Sequence, residues 1–174
     1  MSSRLTVFTL AALAVFSTQP SFAQGSALRA PAPVSVRVVT GPDAKKVRQA
    51  LADAEALEGA GRVRESRRRL RSLITEQQEA EQYPLEALWR LANSFYFRED
   101  ELGAAAVLDE LASSAAQFGD PASELRGTFE AAVIYQRLHK PELVKGRLAR
   151  VEALLQSPAI SDDAKRAVRE RIVH

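Results

Sequence analysis

A fixed interval of 39 residues relates helical positions along this chain and limits the folds open to the sequence. The interval separates apolar or aromatic residues in three successive units: Leu57, Tyr96 and Tyr135. It also separates two sets of mostly small residues: Ala54, Asn93 and Ala132, then Ser66, Ala105 and Val144. A repeat of this length with helix–turn–helix content predicts helix pairs that bury their apolar faces against neighbouring pairs.

Prolines divide the sequence into its helices. Proline suits the first turn of a helix, because it has no N–H to leave unpaired there and its φ is already helical. Five of the eight prolines stand where helices are expected to begin: Pro42, Pro84, Pro121, Pro141 and Pro158. With the apolar spacing of three and four residues, they predict helices over 43–58, 62–79, 84–97, 101–117, 121–138, 141–156 and 161–173. The expected fold is all-α, with three helix pairs and a terminal helix.

The stretch LWRLANSFYF, residues 88–97, contains the only Trp of the chain. Four of its residues reproduce the first-helix spacing W-x2-L-G-x2-Y of a tetratricopeptide repeat: Trp89, Ala92, Asn93 and Tyr96. Ala105 and Ala112 fall at the small positions of the second helix. The chain therefore resembles a degenerate array of tetratricopeptide-type repeats from about residue 43 to 157.

This resemblance implies a right-handed α-solenoid of about three helix hairpins with a C-terminal capping helix, together occupying residues 42–174. The sequence also departs from the family pattern. Asn93 replaces a small residue, Asp109 falls where an aromatic residue is usual, and the interval of 39 exceeds the ~34 residues of the family.

The aromatic residues of this stretch are interpreted as core, and not as a ligand-binding box. Burying a large ring removes ~150–250 Å² from water, and at ~25 cal/mol/Å² this burial holds two helices of one unit together. The predicted repeat core comprises Leu57, Trp89, Ala92, Tyr96, Ala105, Ala132 and Tyr135.

A second face of the first helices corresponds to the concave groove that the resemblance implies. Its predicted residues are Arg48, Arg90, Ser94, Phe97, Arg126, Phe129 and Arg137. Arginines around two phenylalanines suit an extended peptide that carries an acidic group. The alternative is that Phe97 and Phe129 simply pack against the adjacent repeat.

The segment GRVRESRRRLR, residues 61–71, has the strongest local charge bias. On one helix its arginines form a basic ridge, which consists of Arg64, Arg67, Arg68 and Arg71. Such a ridge suits lipid phosphates, lipopolysaccharide or an acidic partner, while the alternative is a solvated face balanced by nearby glutamates. A formal charge of +2 on an exported chain argues against nucleic acid as a partner.

The N-terminus has the pattern of a secretory signal peptide over residues 1–23. Arg4 precedes an uncharged, mostly apolar run, and Ser21 and Ala23 fit the cleavage site, so we expect cleavage after Ala23. The product would reach the periplasm of a Gram-negative cell or otherwise be secreted. Residues 24–41 are expected to be flexible or extended. Within them, 34–40 is an N-terminal strap, a disordered stretch or a strand added to a partner.

Catalytic and metal-binding patterns are missing from the sequence. The chain has no Cys, and its two histidines, His139 and His174, lack metal-ligand spacing. We therefore expect a non-catalytic interaction module without a cofactor, which binds an unidentified protein or peptide. Binding of an anionic envelope surface through the basic ridge is the alternative, and self-association through the ends of the array is open.

Overall fold

The computed structural model describes residues 42–173, and all regular elements in that range are α-helices. They are α1 (Pro42–Gly59), α2 (Val63–Glu79), α3 (Leu85–Tyr96), α4 (Glu101–Gln117), α5 (Pro121–Arg137), α6 (Pro141–Leu155) and α7 (Asp162–Val173). The all-helical prediction is confirmed for this range, and every boundary lies within one residue of the predicted one.

Predictions for the N-terminal part fall outside the described residues. These are the signal peptide (1–23), the extended segment (24–41) and the strand-like stretch within it (34–40). Within the described helices, none combines the length and the apolarity that crossing a bilayer requires.

The helices begin and end through local backbone chemistry. Asp100 and Asp120 accept the N–H groups of Gly103 and Ser123, at 2.9 and 3.1 Å, which caps α4 and α5. The chain leaves five helices through a residue with positive φ, the usual helix-ending conformation: Gly61, Glu81, Glu99, Gly119 and His139. Pro158 lies in the connection between α6 and α7, where Ser161 accepts the N–H of Ala164 at 3.3 Å.

From α1 to α6 each helix packs against the next one along the chain, and α7 contacts α5. The larger apolar core runs from α1 to α5 and takes in partly buried residues of α6. A second, smaller core joins α5, α6 and α7 around the buried residues Leu125, Phe129, Val151, Leu154 and Val168. The terminal helix therefore covers one side of α5.

Ion pairs connect helices that are two apart in the chain. Arg90 of α3 lies 3.0 Å from Glu55 of α1. Three more pairs join α2 to α4, α4 to α6 and α5 to α7: Arg71–Glu110, Asp109–Arg147 and Glu130–Arg171. Alternate helices are thus neighbours, as well as consecutive ones.

Gly127 marks a close approach of α4 and α5. A Cβ at this position would lie 2.9 Å from Leu111 Cδ2 and 3.2 Å from the carbonyl oxygen of Leu108. Gly146 of α6, by contrast, has open space where its Cβ would be. The two glycines are therefore a matched pair, both inside helices but only one in a tight contact.

We expect Gly127→Ala to destabilise the fold by about 1–3 kcal/mol, because the added methyl group overpacks the contact between α4 and α5. Gly146→Ala should stabilise it by about 0.5–1 kcal/mol, the ordinary gain from replacing a glycine inside a helix. Urea denaturation followed by circular dichroism measures both. Equal effects of the two substitutions on the free energy of unfolding would contradict the close contact between α4 and α5 at Gly127.

Candidate functional site

A cleft of about 370 Å³ lies between α3 and α5. Aromatic and charged side chains give it its chemistry: Trp89 and Tyr96 from α3, Arg126, Glu130 and Arg137 from α5, and Arg171 from α7. Asn93, Leu108, Val133 and Ile134 also line it. This α3–α5 cleft carries three arginines against one carboxylate, so it favours anionic groups.

Arg126 is stacked on the indole of Trp89. Its guanidinium carbon lies 4.5 Å from the ring centroid, while the side chain remains exposed. Among the described residues no carboxylate lies within 4.0 Å of it. The stack holds the guanidinium in place and leaves its N–H groups available to a ligand.

The other two arginines of the cleft are paired. Arg137 lies 3.1 Å from Glu101 and donates to the Tyr96 hydroxyl at 3.4 Å. Arg171 is bonded to Glu130 across α5 and α7, and this hydrogen bond raises the pKa of the Arg171 guanidinium. Arg126 is therefore the arginine of the cleft whose charge is not matched by a neighbouring carboxylate.

The predicted groove residues are only partly brought together. Arg126 and Arg137 line the α3–α5 cleft, whereas Arg90 contacts Glu55 and Glu86, both at 3.0 Å. The remaining members lie elsewhere: Arg48 is exposed on α1, Ser94 is buried beneath Arg67, Phe97 follows α3 and is 75% exposed, and Phe129 is 3% exposed in the second core.

The predicted repeat core is placed as follows. Ala92, Ala105, Ala132 and Tyr135 are buried, while Leu57 and Trp89 are partly buried. Tyr96 is 43% exposed and lines the cleft, with Arg137 over its ring at 5.4 Å. Trp89 and Tyr96 thus join the core to the cleft.

The basic ridge divides into two halves. Arg67 turns inward, stacks on Phe95 at 3.8 Å and donates to the carbonyl oxygen of Ser94 at 2.7 Å. Arg71 is paired with Glu110 of α4. Arg64 and Arg68 are exposed, and within residues 42–173 neither has a carboxylate within 4.0 Å.

A polar cluster that the sequence reasoning missed connects α4, α5 and α6. Asp109 accepts from Arg147 Nε at 2.7 Å and from the Tyr135 hydroxyl at 3.1 Å. Burial raises the pKa of the Tyr135 hydroxyl, and the Asp109 carboxylate raises it further. The signal was present in the sequence, because Asp109 is where the repeat pattern expects an aromatic residue.

The cluster borders a second cavity of about 350 Å³, between α4, α5 and α6. Arg147 lies over the ring of Tyr135 at 4.4 Å, and its bond to Asp109 raises the pKa of the guanidinium. Because each ionisable member is already bound to another, this cluster is interpreted as structural.

We expect Arg147→Lys to destabilise the protein by about 1–2 kcal/mol, because an ammonium cannot bind Asp109 through two nitrogens and stack on Tyr135 as well. Arg68→Lys is the control, since exposed Arg68 should tolerate the change within about 0.5 kcal/mol. Urea denaturation compares them. If both variants unfolded at the same urea concentration, the cluster would not stabilise the fold.

The functional interpretation of this chain rests on the geometry of the α3–α5 cleft. Among residues 42–173 no three His, Asp or Glu side chains are grouped so as to hold a metal ion. The chain matches no protein-family model, and comparisons with curated proteins and with solved structures also find no match.

Proposed function

We propose that this chain is an exported, non-catalytic interaction module that binds an extended segment of a partner protein in the α3–α5 cleft. In this proposal residues 1–23 direct export and are removed, and a carboxylate of the partner binds Arg126. The expected compartment is the periplasm if the cell is Gram-negative, and otherwise the chain is secreted. No cofactor is required.

The architecture proposed for the module is a right-handed α-solenoid of about three tetratricopeptide-like hairpins, with α7 as its capping helix. The contacts between alternate helices support it, because stacked hairpins place first helices beside first helices, as in the α1–α3 pair, and second helices beside second helices, as in the α2–α4 and α4–α6 pairs. The buried Val168 of α7 also supports it, since a capping helix must seal the apolar face of the last hairpin.

The main support for this proposal is the unmatched charge of Arg126. Five arginines lie over aromatic rings: Arg67, Arg126, Arg137, Arg147 and Arg171. Four of them also reach a carboxylate in their own chain. Arg126 alone among the five lacks one within the described residues, so a ligand carboxylate would complete the contact that the others already have.

A carboxylate at Arg126 would gain charge-assisted hydrogen bonds in a fixed geometry. Because the stack on Trp89 already orients the guanidinium, little side-chain freedom is lost on binding. Asn93 lies on α3 beside Trp89 and is exposed in the cleft, where its amide can donate to and accept from a peptide backbone. An extended segment can therefore be bound through its acidic side chain by Arg126 and through its main chain by Asn93.

The second candidate is the anionic envelope surface, bound through the basic ridge. Exposed Arg64 and Arg68 support it. Arg67 and Arg71 do not, because their guanidinium groups contact α3 and α4. The cleft is the better candidate, since its unmatched arginine lies in a preformed cavity.

The emission of Trp89 tests the proposal, because it is the only Trp of the chain and lies under Arg126. We expect short capped peptides with one Glu among small apolar residues to change this emission on titration, and their Gln versions to bind at least roughly tenfold more weakly. Arg126→Gln should weaken the Glu peptide by a similar factor.

Arg68→Gln is the matched control and should leave peptide affinity unchanged. Equal binding of the Glu and Gln peptides, or equal losses in the Arg126 and Arg68 variants, would contradict a carboxylate site at Arg126. Retention on anionic vesicles that is lost in Arg64→Gln with Arg68→Gln, but not in Arg126→Gln, would favour the second candidate instead.

A further inference from the structure

Exposed apolar side chains are concentrated at the turn between α3 and α4. Of the five large apolar residues exposed in the described chain, three lie within seven positions: Tyr96 at 43%, Phe97 at 75% and Leu102 at 56%. The rings of Tyr96 and Phe97 meet edge to face, with centroids 6.0 Å apart. Together with Leu138 we call these residues the turn patch. Such clustering is typical of an interaction surface.

The turn patch borders a cavity of about 660 Å³ whose charged lining is entirely acidic: Glu99, Asp100 and Glu101. Glu101 lies 3.1 Å from Arg137, and Asp100 caps α4 while its carboxylate is 4.0 Å from Arg67. Glu99 has no cation within 4.0 Å among the described residues. A basic side chain fits this surface, and it would meet Glu99 beside an aromatic ring.

The turn patch continues directly from the α3–α5 cleft. Tyr96 lines both cavities, and the ion pair of Arg137 and Glu101 lies at their junction. From Trp89 to Phe97 the helix rises about 12 Å, at ~1.5 Å per residue. An extended peptide covers that length with about four residues, at ~3.3 Å each.

We propose that the partner segment bound in the cleft continues onto the turn patch and carries charges of both signs. Its acidic residue binds Arg126. About four residues away, a Lys or Arg meets Glu99, and an apolar side chain between them contacts Phe97 and Leu102. This inference rests on the proposed function and adds an apolar and a basic residue to the proposed ligand.

The opposite charges of the two surfaces select this occupant. A purely acidic segment would bring its charges to Glu99 and Glu101, and a purely basic one would meet three arginines in the cleft. A segment with charges of both signs can place its acidic residue at the cleft and its basic residue at the turn patch. Neither charge then meets a surface of its own sign.

The test uses the chain without residues 1–23 and three capped peptides of equal length. One carries Glu only, one carries Glu with Lys four residues away, and one carries Glu with Lys directly adjacent. We expect the second to bind roughly two- to fivefold more tightly than the first, through one exposed ion pair with Glu99. The third should show no such gain.

Glu99→Gln should abolish the gain and leave the affinity for the Glu-only peptide unchanged. The Glu99 side chain is exposed, so the variant should keep its thermal unfolding temperature. A gain that is absent in the unaltered chain, or that persists in this variant, would overturn the inference.

The two proposals fail in different ways. If Glu-only peptides do not bind, or bind equally to Arg126→Gln, the cleft proposal fails. If they bind as expected and the Lys adds nothing, only the extension onto the turn patch fails. A lower molecular mass of the free chain after Phe97→Ser, measured by light scattering, would assign the turn patch to self-association and also overturn the extension.

Discussion

The packing of these helices combines two apolar cores with arginine guanidinium groups that lie over aromatic rings of another helix. All five rings belong to α3 and α5, and each arginine comes from a different helix than its ring. A guanidinium can stack through its plane and donate through its edge at the same time, which an ammonium cannot do. Stacking combined with hydrogen bonding gives several arginines a structural role. The chain has 19 arginines, five lysines and no cysteine.

The same interaction separates structural arginines from the candidate binding residue. Arg147 stacks on Tyr135 and binds Asp109, so its donors are used within the fold. Arg126 also lies over a ring, that of Trp89, and lines the cleft, but no carboxylate lies within 4.0 Å of it in the described chain. An arginine over an aromatic ring therefore stabilises packing where the chain itself supplies a carboxylate. Where the chain supplies none, we interpret the arginine as a binding residue.

Local signals in the sequence predicted the helices, because proline positions, caps and apolar spacing act within one or two turns. The site was harder to predict. Arg67 and Arg68 are adjacent in the ridge, yet a rotation of about 100° between them puts one on Phe95 and the other in solvent. Phe129 was predicted either to line the groove or to pack against the adjacent repeat, and it lies in the second core with Val168 of α7, which is 39 residues further along the chain.

Apart from the Arg137–Glu101 pair, the opposite charges of the cleft and the turn patch act separately. From Trp89, which positions Arg126, to Phe97, which follows α3 and lies two residues before Glu99, the backbone rises about 12 Å. Exposed charges are screened over about 8 Å at physiological ionic strength, so a ligand charge at one surface is affected mainly by that surface. The Arg137–Glu101 pair neutralises the junction between them. Contributions from the two ends of a bound segment should then be nearly additive, and higher salt should weaken both without changing which end binds where.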